Sequence, residues 1–179
     1  IYRPVGAYRI SYATGKEPAH AQKEITYLND PTNPTAIASP TAILPYVEGL
    51  EPKDARGQVL NLVDPLDETK GYLLPSPDSP TADTAITYAI TKGSVRVRFL
   101  TEGGDTDLQE AQDLATEVDF GTKYTSEAPT EITKDGRIYH LVGHRADSAD
   151  PSGTVTKGMK TVIYDYKLAT GTVIARFVI

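Results

Sequence analysis

The segment GAYRISYAT at residues 6–14 recurs as GSVRVRFLT at 93–101 and as GTVIARFVI at 171–179. Aligned on Gly6, Gly93 and Gly171, the three superpose without a gap. Tyr8, Val95 and Val173 fall in one column, Ile10, Val97 and Ala175 in the next, and Tyr12, Phe99 and Phe177 in a third. Each copy alternates apolar with polar or small residues, the pattern of a strand with one buried face. A chain that restarts in this way cannot be read as one continuous domain.

The residues before the second and third openings match as well. Ile86, Tyr88 and Ile90 precede Gly93 at the offsets at which Tyr164, Tyr166 and Leu168 precede Gly171. Each unit therefore ends in one alternating strand and passes through a short turn into the next. The spacing between openings exceeds a solenoid repeat and suits tandem small domains, each with its own core. The expected division is a unit over 1–91, a unit over 92–170, and the first strand of a third over 171–179, in an elongated arrangement with a short, stiff joint near 91–93. A chain beginning at Ile1 reads as an excised piece of a longer protein.

The first unit holds 11 of the 13 prolines, which excludes long helices and central strands across much of it. Short strands are expected at 7–13, 43–48, 58–63, 71–74 and 84–91, with 28–41 as an extended surface insertion. In the second unit, strands are expected at 93–100, 137–144 and 160–168. The stretch 107–120 fits both periods: Leu108, Ala111, Leu114 and Val118 would share a helix face, while TEVDFGTKY reads as a strand. Ser126 as an N-cap and Pro129 near the start predict one short helix over 126–136. The fold class is thus mainly β with a short helix (α+β), built of tandem β-grasp-like domains.

With that order in hand, the second unit resembles a MucBP-type repeat of Gram-positive surface adhesins. The matching pieces are GSVRVRF (93–99), FGTKY (120–124), DGRIYHLVG (135–143), SGTVTKG (152–158) and TVIYDYK (161–167). The resemblance implies a β-grasp-like module of an extracellular, cell-wall-anchored bacterial protein associated with mucin binding. The first unit departs from the pattern in its middle. There it resembles the proline-rich modules that accompany such repeats in streptococcal and lactobacillar surface proteins.

Chemistry is narrowed by what the chain lacks. It has no Cys, so disulfides, thiol catalysis and thiolate metal sites are excluded. A formal net charge of -6 argues against nucleic acid as a partner, and no apolar run is long enough to span a membrane as a helix. His140 and His144 have the i,i+4 spacing of a helical metal pair, but on a strand that spacing separates them by about 13 Å. GGDTDLQE (103–110) and DPLDE (64–68) cluster oxygens without the spacing of a calcium loop. An intramolecular Lys–Asn isopeptide bond cannot form within the second unit, which has no Asn; in the first, Asn61, between Val59 and Val63 on one face of QVLNLVD, is the candidate acceptor. Tyr8, Tyr12, Tyr88, Tyr164 and Tyr166 belong to the core face.

The loop HRADSADPSG (144–153) offers His144, Arg145, Asp147 and Asp150 as candidate glycan contacts. The reading is a non-enzymatic, monomeric adhesin fragment with no cofactor and no metal, whose partners are host mucin or glycoprotein glycans. The alternative is a stalk that spaces a distal adhesive domain from the cell wall.

Overall fold

The computed structural model describes residues 6–27, 29–30, 32–37, 42–77, 79 and 81–169. It divides the chain into two compact units, Ile1–Thr91 and Lys92–Ile179. Both are almost wholly β. The expected third opening at 171–179 lies outside the described residues, as do residues 28, 31 and 38–41 of the expected insertion.

Unit 1 contains β1 (Ala7–Tyr12), β2 (Glu24–Thr26), β3 (Asn29–Asp30), β4 (Asn33–Ile37), β5 (Ile43–Leu44), β6 (Leu50–Lys53), β7 (Tyr72–Leu73) and β8 (Thr84–Ile90). Its main sheet has the order β2-β1-β8-β6, with two-stranded ribbons β5-β7 and β3-β4. The first and last strands are the central pair and run parallel: Ile10 lies opposite Ile86, and Tyr12 opposite Tyr88. Strands expected at 7–13, 71–74 and 84–91 form, whereas 43–48 shortens to β5. The segment 58–63 makes only isolated bridges, Lys53 to Val59 and Leu62 to Tyr72. The strand that prolines hide is β6: Pro52 is buried within it, tolerated because β6 is a sheet edge.

Unit 2 contains β9 (Lys92–Thr101), β10 (Asp107–Asp119), β11 (Lys123–Thr125), β12 (Glu131–Lys134), β13 (Arg137–His144), β14 (Ser152–Thr154) and β15 (Gly158–Leu168). The sheet order is β10-β9-β15-β13-β12, with β11-β14 as a separate ribbon. Again the first and last strands, β9 and β15, lie parallel at the centre, with Val97 opposite Val162 and Phe99 opposite Tyr164. The sheet curls until its edges approach each other, where Lys134 Nζ donates to the Asp107 carbonyl oxygen at 2.7 Å.

The short helix expected over 126–136 is not there. Ser126 spends its hydroxyl on the Pro151 carbonyl (2.7 Å) and meets the Tyr164 hydroxyl at 2.6 Å, so it caps nothing. Thr130, Ile132 and Thr133 are β-branched, and β12 turns straight into β13 through Asp135 and Gly136, both at positive φ (51° and 76°). Among the described residues the one helical turn is the 3-10 segment Glu68–Lys70 in unit 1.

The 107–120 ambiguity resolves as a strand, and its bulges explain the helical look. Four register shifts interrupt the pairing of β10 with β9. Each inserted residue stretches the apolar spacing from two to three or four, so Leu108, Ala111, Leu114 and Val118 recur at a helix-like interval along a strand. Glu117, at φ 47°, occupies one such bulge, and its N–H is taken by the buried Ser94 Oγ at 2.9 Å.

Both cores sit between the main sheet and a ribbon. In unit 1, Tyr8, Ile10, Ile86 and Tyr88 from the sheet meet Leu44 and Tyr72 from β5-β7. In unit 2, Val95, Val97, Phe99, Val162, Tyr164 and Tyr166 meet Tyr124 from β11 and Val155 from the end of β14. Tyr12 is only half-buried; its ring stacks on Tyr88 at 4.9 Å. The repeat glycines have one job in both units. A Cβ on Gly6 would come within 2.6 Å of the Ala82 carbonyl oxygen, and one on Gly93 would collide with that of Thr156. Ala82 and Thr156 each stand two residues before the closing strand begins.

Buried phenols need acceptors, and loop carbonyls supply them. Tyr8 donates to Pro75 O (2.7 Å), Tyr88 to Pro45 O (2.7 Å) and Tyr166 to Pro129 O (2.6 Å). A prolyl residue lacks an N–H but keeps its carbonyl, so the rigid loops are pinned to the sheet through the acceptor they retain.

Candidate functional site

The loop after β13 was the expected glycan contact, and its side chains are largely engaged within the fold. Arg145 Nη2 lies 2.6 Å from Asp165 Oδ1, with Nε at 3.0 Å, and also donates to the Gly104 carbonyl at 2.8 Å. The two side chains are only 20% and 15% exposed, and the hydrogen bond to Asp165 raises the guanidinium pKa above its ordinary value. His144 Nε2 donates to the Ala149 carbonyl at 2.7 Å, and its ring sits edge-on to Tyr164. The Arg145 and Ala149 amides bond to the Ile163 and Thr161 carbonyls, so the loop runs beside β15 as a continuation of β13. The Asp150 carbonyl accepts from the Tyr124 hydroxyl at 2.7 Å. Asp147 and Asp150 are exposed, yet they are not joined by a free Arg145.

His140 and His144 do not share a face. The pairing of β13 with β15 shifts between Leu141 and Gly143, where Gly143 has φ 150°, and the inserted residue reverses the alternation. His144 therefore points at the core residue Tyr164, while His140 faces outward across from Glu131 at 3.8 Å.

Asn61 is exposed and Leu60, not Val59, is the buried residue of its segment, so the face assigned to QVLNLVD is inverted. The structure brings no buried lysine to it: every lysine is exposed or half-buried. Asp105 and Asp107 both bond Arg98, and Asp64 bonds the Leu66 amide and Lys70, so these acids serve turns and ion pairs. Among the described residues no three metal-ligating side chains converge.

A second surface was not anticipated. Where the β12-β13 hairpin meets the end of β15, Glu131, Gly136, Arg137, Ile138, His140, Leu168 and Ala169 line an open depression of about 520 Å³. Arg137 is the one arginine among the described residues with no carboxylate partner; Arg9, Arg56, Arg96, Arg98 and Arg145 are all paired. Ile138 is 42% exposed beside it. The depression combines a free planar donor, a carboxylate acceptor and an aliphatic floor, which suits a polar ligand with one apolar face. The signal in the sequence was RIYHLV itself, in which Ile138 and Tyr139 put apolar groups on opposite faces of one strand.

Comparison with known proteins bears chiefly on unit 2. Residues 94–167 match the family model described as MucBP domain, which spans β9 to β15 and agrees with the motifs read from the sequence. The chain is also similar to a solved structure described as Streptococcal High Identity Repeats in Tandem (SHIRT) domains 3-4 from cell surface protein. That similarity covers 92% of this chain and 97% of the other at 14% identity, with a TM-score of 0.28. No curated protein sequence matches the chain.

Proposed function

From a second unit that carries a MucBP domain match, we propose that the chain is a repeat region of a bacterial cell-surface adhesin that binds host mucin or other glycoprotein glycans without catalysis. It is an extracellular piece of a cell-wall-anchored parent. Unit 1, over 1–91, is a proline-rich companion module, unit 2, over 92–170, is the binding module, and 171–179 opens a further repeat. Unit 2 is a β-grasp-like fold in which the β11-β14 ribbon takes the covering place of a helix.

The observation that carries the binding reading is the depression at the end of β15, with Arg137 unpaired beside exposed Ile138. There Arg137 would hold a sugar carboxylate or hydroxyl pair, Glu131 and His140 would take further hydroxyls, and Ile138 would meet the ring's C–H face. Loss of one bidentate donor is expected to weaken binding about tenfold. Surface plasmon resonance of the 179-residue chain over immobilised mucin should show this for Arg137→Ala while Asp147→Ala binds like wild type. No binding by the wild-type chain at high concentration would reject the reading.

The stalk reading has its own support: β8 ends at Ile90 and β9 begins at Lys92, so module follows module with Thr91 alone between them.

A further inference from the structure

We propose that each unit is a mechanical clamp that resists tension along the chain, and that unit 2 is the stronger of the two. Chain direction carries the inference. In unit 2 the chain enters at the start of β9 and leaves at the end of β15, and these two strands are hydrogen-bonded neighbours running parallel. Pulling the entry and exit apart slides β9 lengthwise against β15. The evenly spaced bonds of a parallel ladder then share the load, and none can break ahead of the rest. Had the two strands been antiparallel, the same pull would have opened the ladder one bond at a time.

Unit 1 repeats the device with β1 and β8. In both sheets the clamped pair is central, flanked on each side by another strand, so neither partner can peel away from an open edge. The ladders differ in length. Gly93 to Thr101 pair with Gly158 to Tyr166, nine residue pairs, against five in unit 1 from Tyr8 to Tyr12 with Thr84 to Tyr88. The chain has no Cys, so no disulfide braces either unit. The ladder is the brace. This property belongs to the chain's path and stands whether or not unit 2 binds a glycan.

Single-molecule force spectroscopy tests it. The full chain, tethered through its two ends, should extend in two steps of about 28 nm and about 24 nm, the gains for unit 1 and unit 2. The shorter gain should come at the higher force. A second tether uses cysteines introduced as Lys92→Cys and Met159→Cys, unique thiols in this chain at exposed positions on adjacent ends of β9 and β15. Pulling there peels the pair apart, and unit 2 should yield at about half the end-to-end force or less, since forced unfolding follows the barrier along the pulled direction. Equal forces in the two geometries, or unit 2 yielding before unit 1, would overturn the proposal. A chain that binds no mucin yet shows the anisotropy keeps the clamp and loses only the adhesive reading.

Discussion

The two units close the same way and fill the space differently. Both lay a glycine-led first strand parallel to the last strand and cover that pair with a two-stranded ribbon. Unit 1 does this with a four-stranded sheet and long prolyl connections tied back by Tyr8 and Tyr88. Unit 2 uses a five-stranded sheet whose bulged β10 lets it curl round its own core. The registers also differ. Ile10 and Val97 are equivalent in the repeat, as are Ile86 and Tyr164, yet Ile10 pairs with Ile86 while Val97 pairs with Val162. The slip is two residues. A slip of one would have turned every core residue outward; a slip of two keeps the buried face, so the repeat tolerates it. What is common to the units is therefore the path of the chain, and the connections between its ends are free to vary.

The largest expected effect tests whether the glycines are equivalent. Gly93→Ala and Gly6→Ala each force a methyl against a backbone carbonyl, and each should destabilise its own unit by about 3 kcal/mol, read as one of two urea transitions moving alone. A small shift at Gly6 with a large one at Gly93 would break the equivalence.

Next in size is the Arg145–Asp165 pair, which has no counterpart among the described ion pairs of unit 1, each of which has one partner more than half exposed. Arg145→Met leaves Asp165 half-buried and unpaired and should cost unit 2 about 2 kcal/mol, less than a fully buried pair because water still reaches it. The double variant with Asp165→Asn should recover most of the loss; failure to recover would mean that the guanidinium acts through its bonds to the Thr101 and Gly104 carbonyls instead.

The tyrosine pins come third. Tyr8→Phe, Tyr88→Phe and Tyr166→Phe each orphan a prolyl carbonyl and should cost about 1 kcal/mol. Burial, with Tyr27 second, pushes the Tyr8 phenol up to about 12. Burial, with Tyr164 second, does the same for Tyr166, and burial raises Tyr88 further still. An unfolded phenol ionises near pH 10. Between pH 10 and 12 the unfolded chain therefore holds fewer protons than the folded one, and stability falls as pH rises through that window. Unit 1, with two such pins, should lose stability more steeply than unit 2 in alkaline unfolding followed by circular dichroism; parallel losses would contradict the assignment.

The smallest effect is a gain. Thr91 is 5% exposed and its hydroxyl is buried without a hydrogen-bond partner, so Thr91→Val should stabilise unit 1 by about 1 kcal/mol in the same urea titration. A loss would show that the hydroxyl has a partner after all.

The sequence disclosed what alternation can disclose. The openings at Gly6 and Gly93, the closing strands expected at 84–91 and 160–168, and the buried tyrosines on them follow from period two and one buried face. Three features escaped it for physical reasons. Bulges in β10 lengthened the apolar interval to that of a helix. The bulge after Leu141 sent His140 and His144 to opposite faces although their spacing is even. Ser126 had the chemistry of a helix cap and uses it on Pro151 and Tyr164. The candidate site misled for a related reason: the charges of 144–150 look available in one dimension, but Arg145 finds Asp165 only once β15 lies alongside. Arg137 stands out by the opposite test, since among the described residues it is the arginine that folding leaves without a carboxylate partner.

One chain path, closed by a parallel first and last strand, is used twice in registers two residues apart. Cross-strand nuclear Overhauser effects on the labelled 179-residue chain test it most directly. Backbone contacts are expected between Ile10 and Ile86 in unit 1 and between Val97 and Val162 in unit 2. Contacts between Val97 and Tyr164, the register of unit 1, would contradict the slip, and the absence of any β9 to β15 contacts would contradict the closure itself.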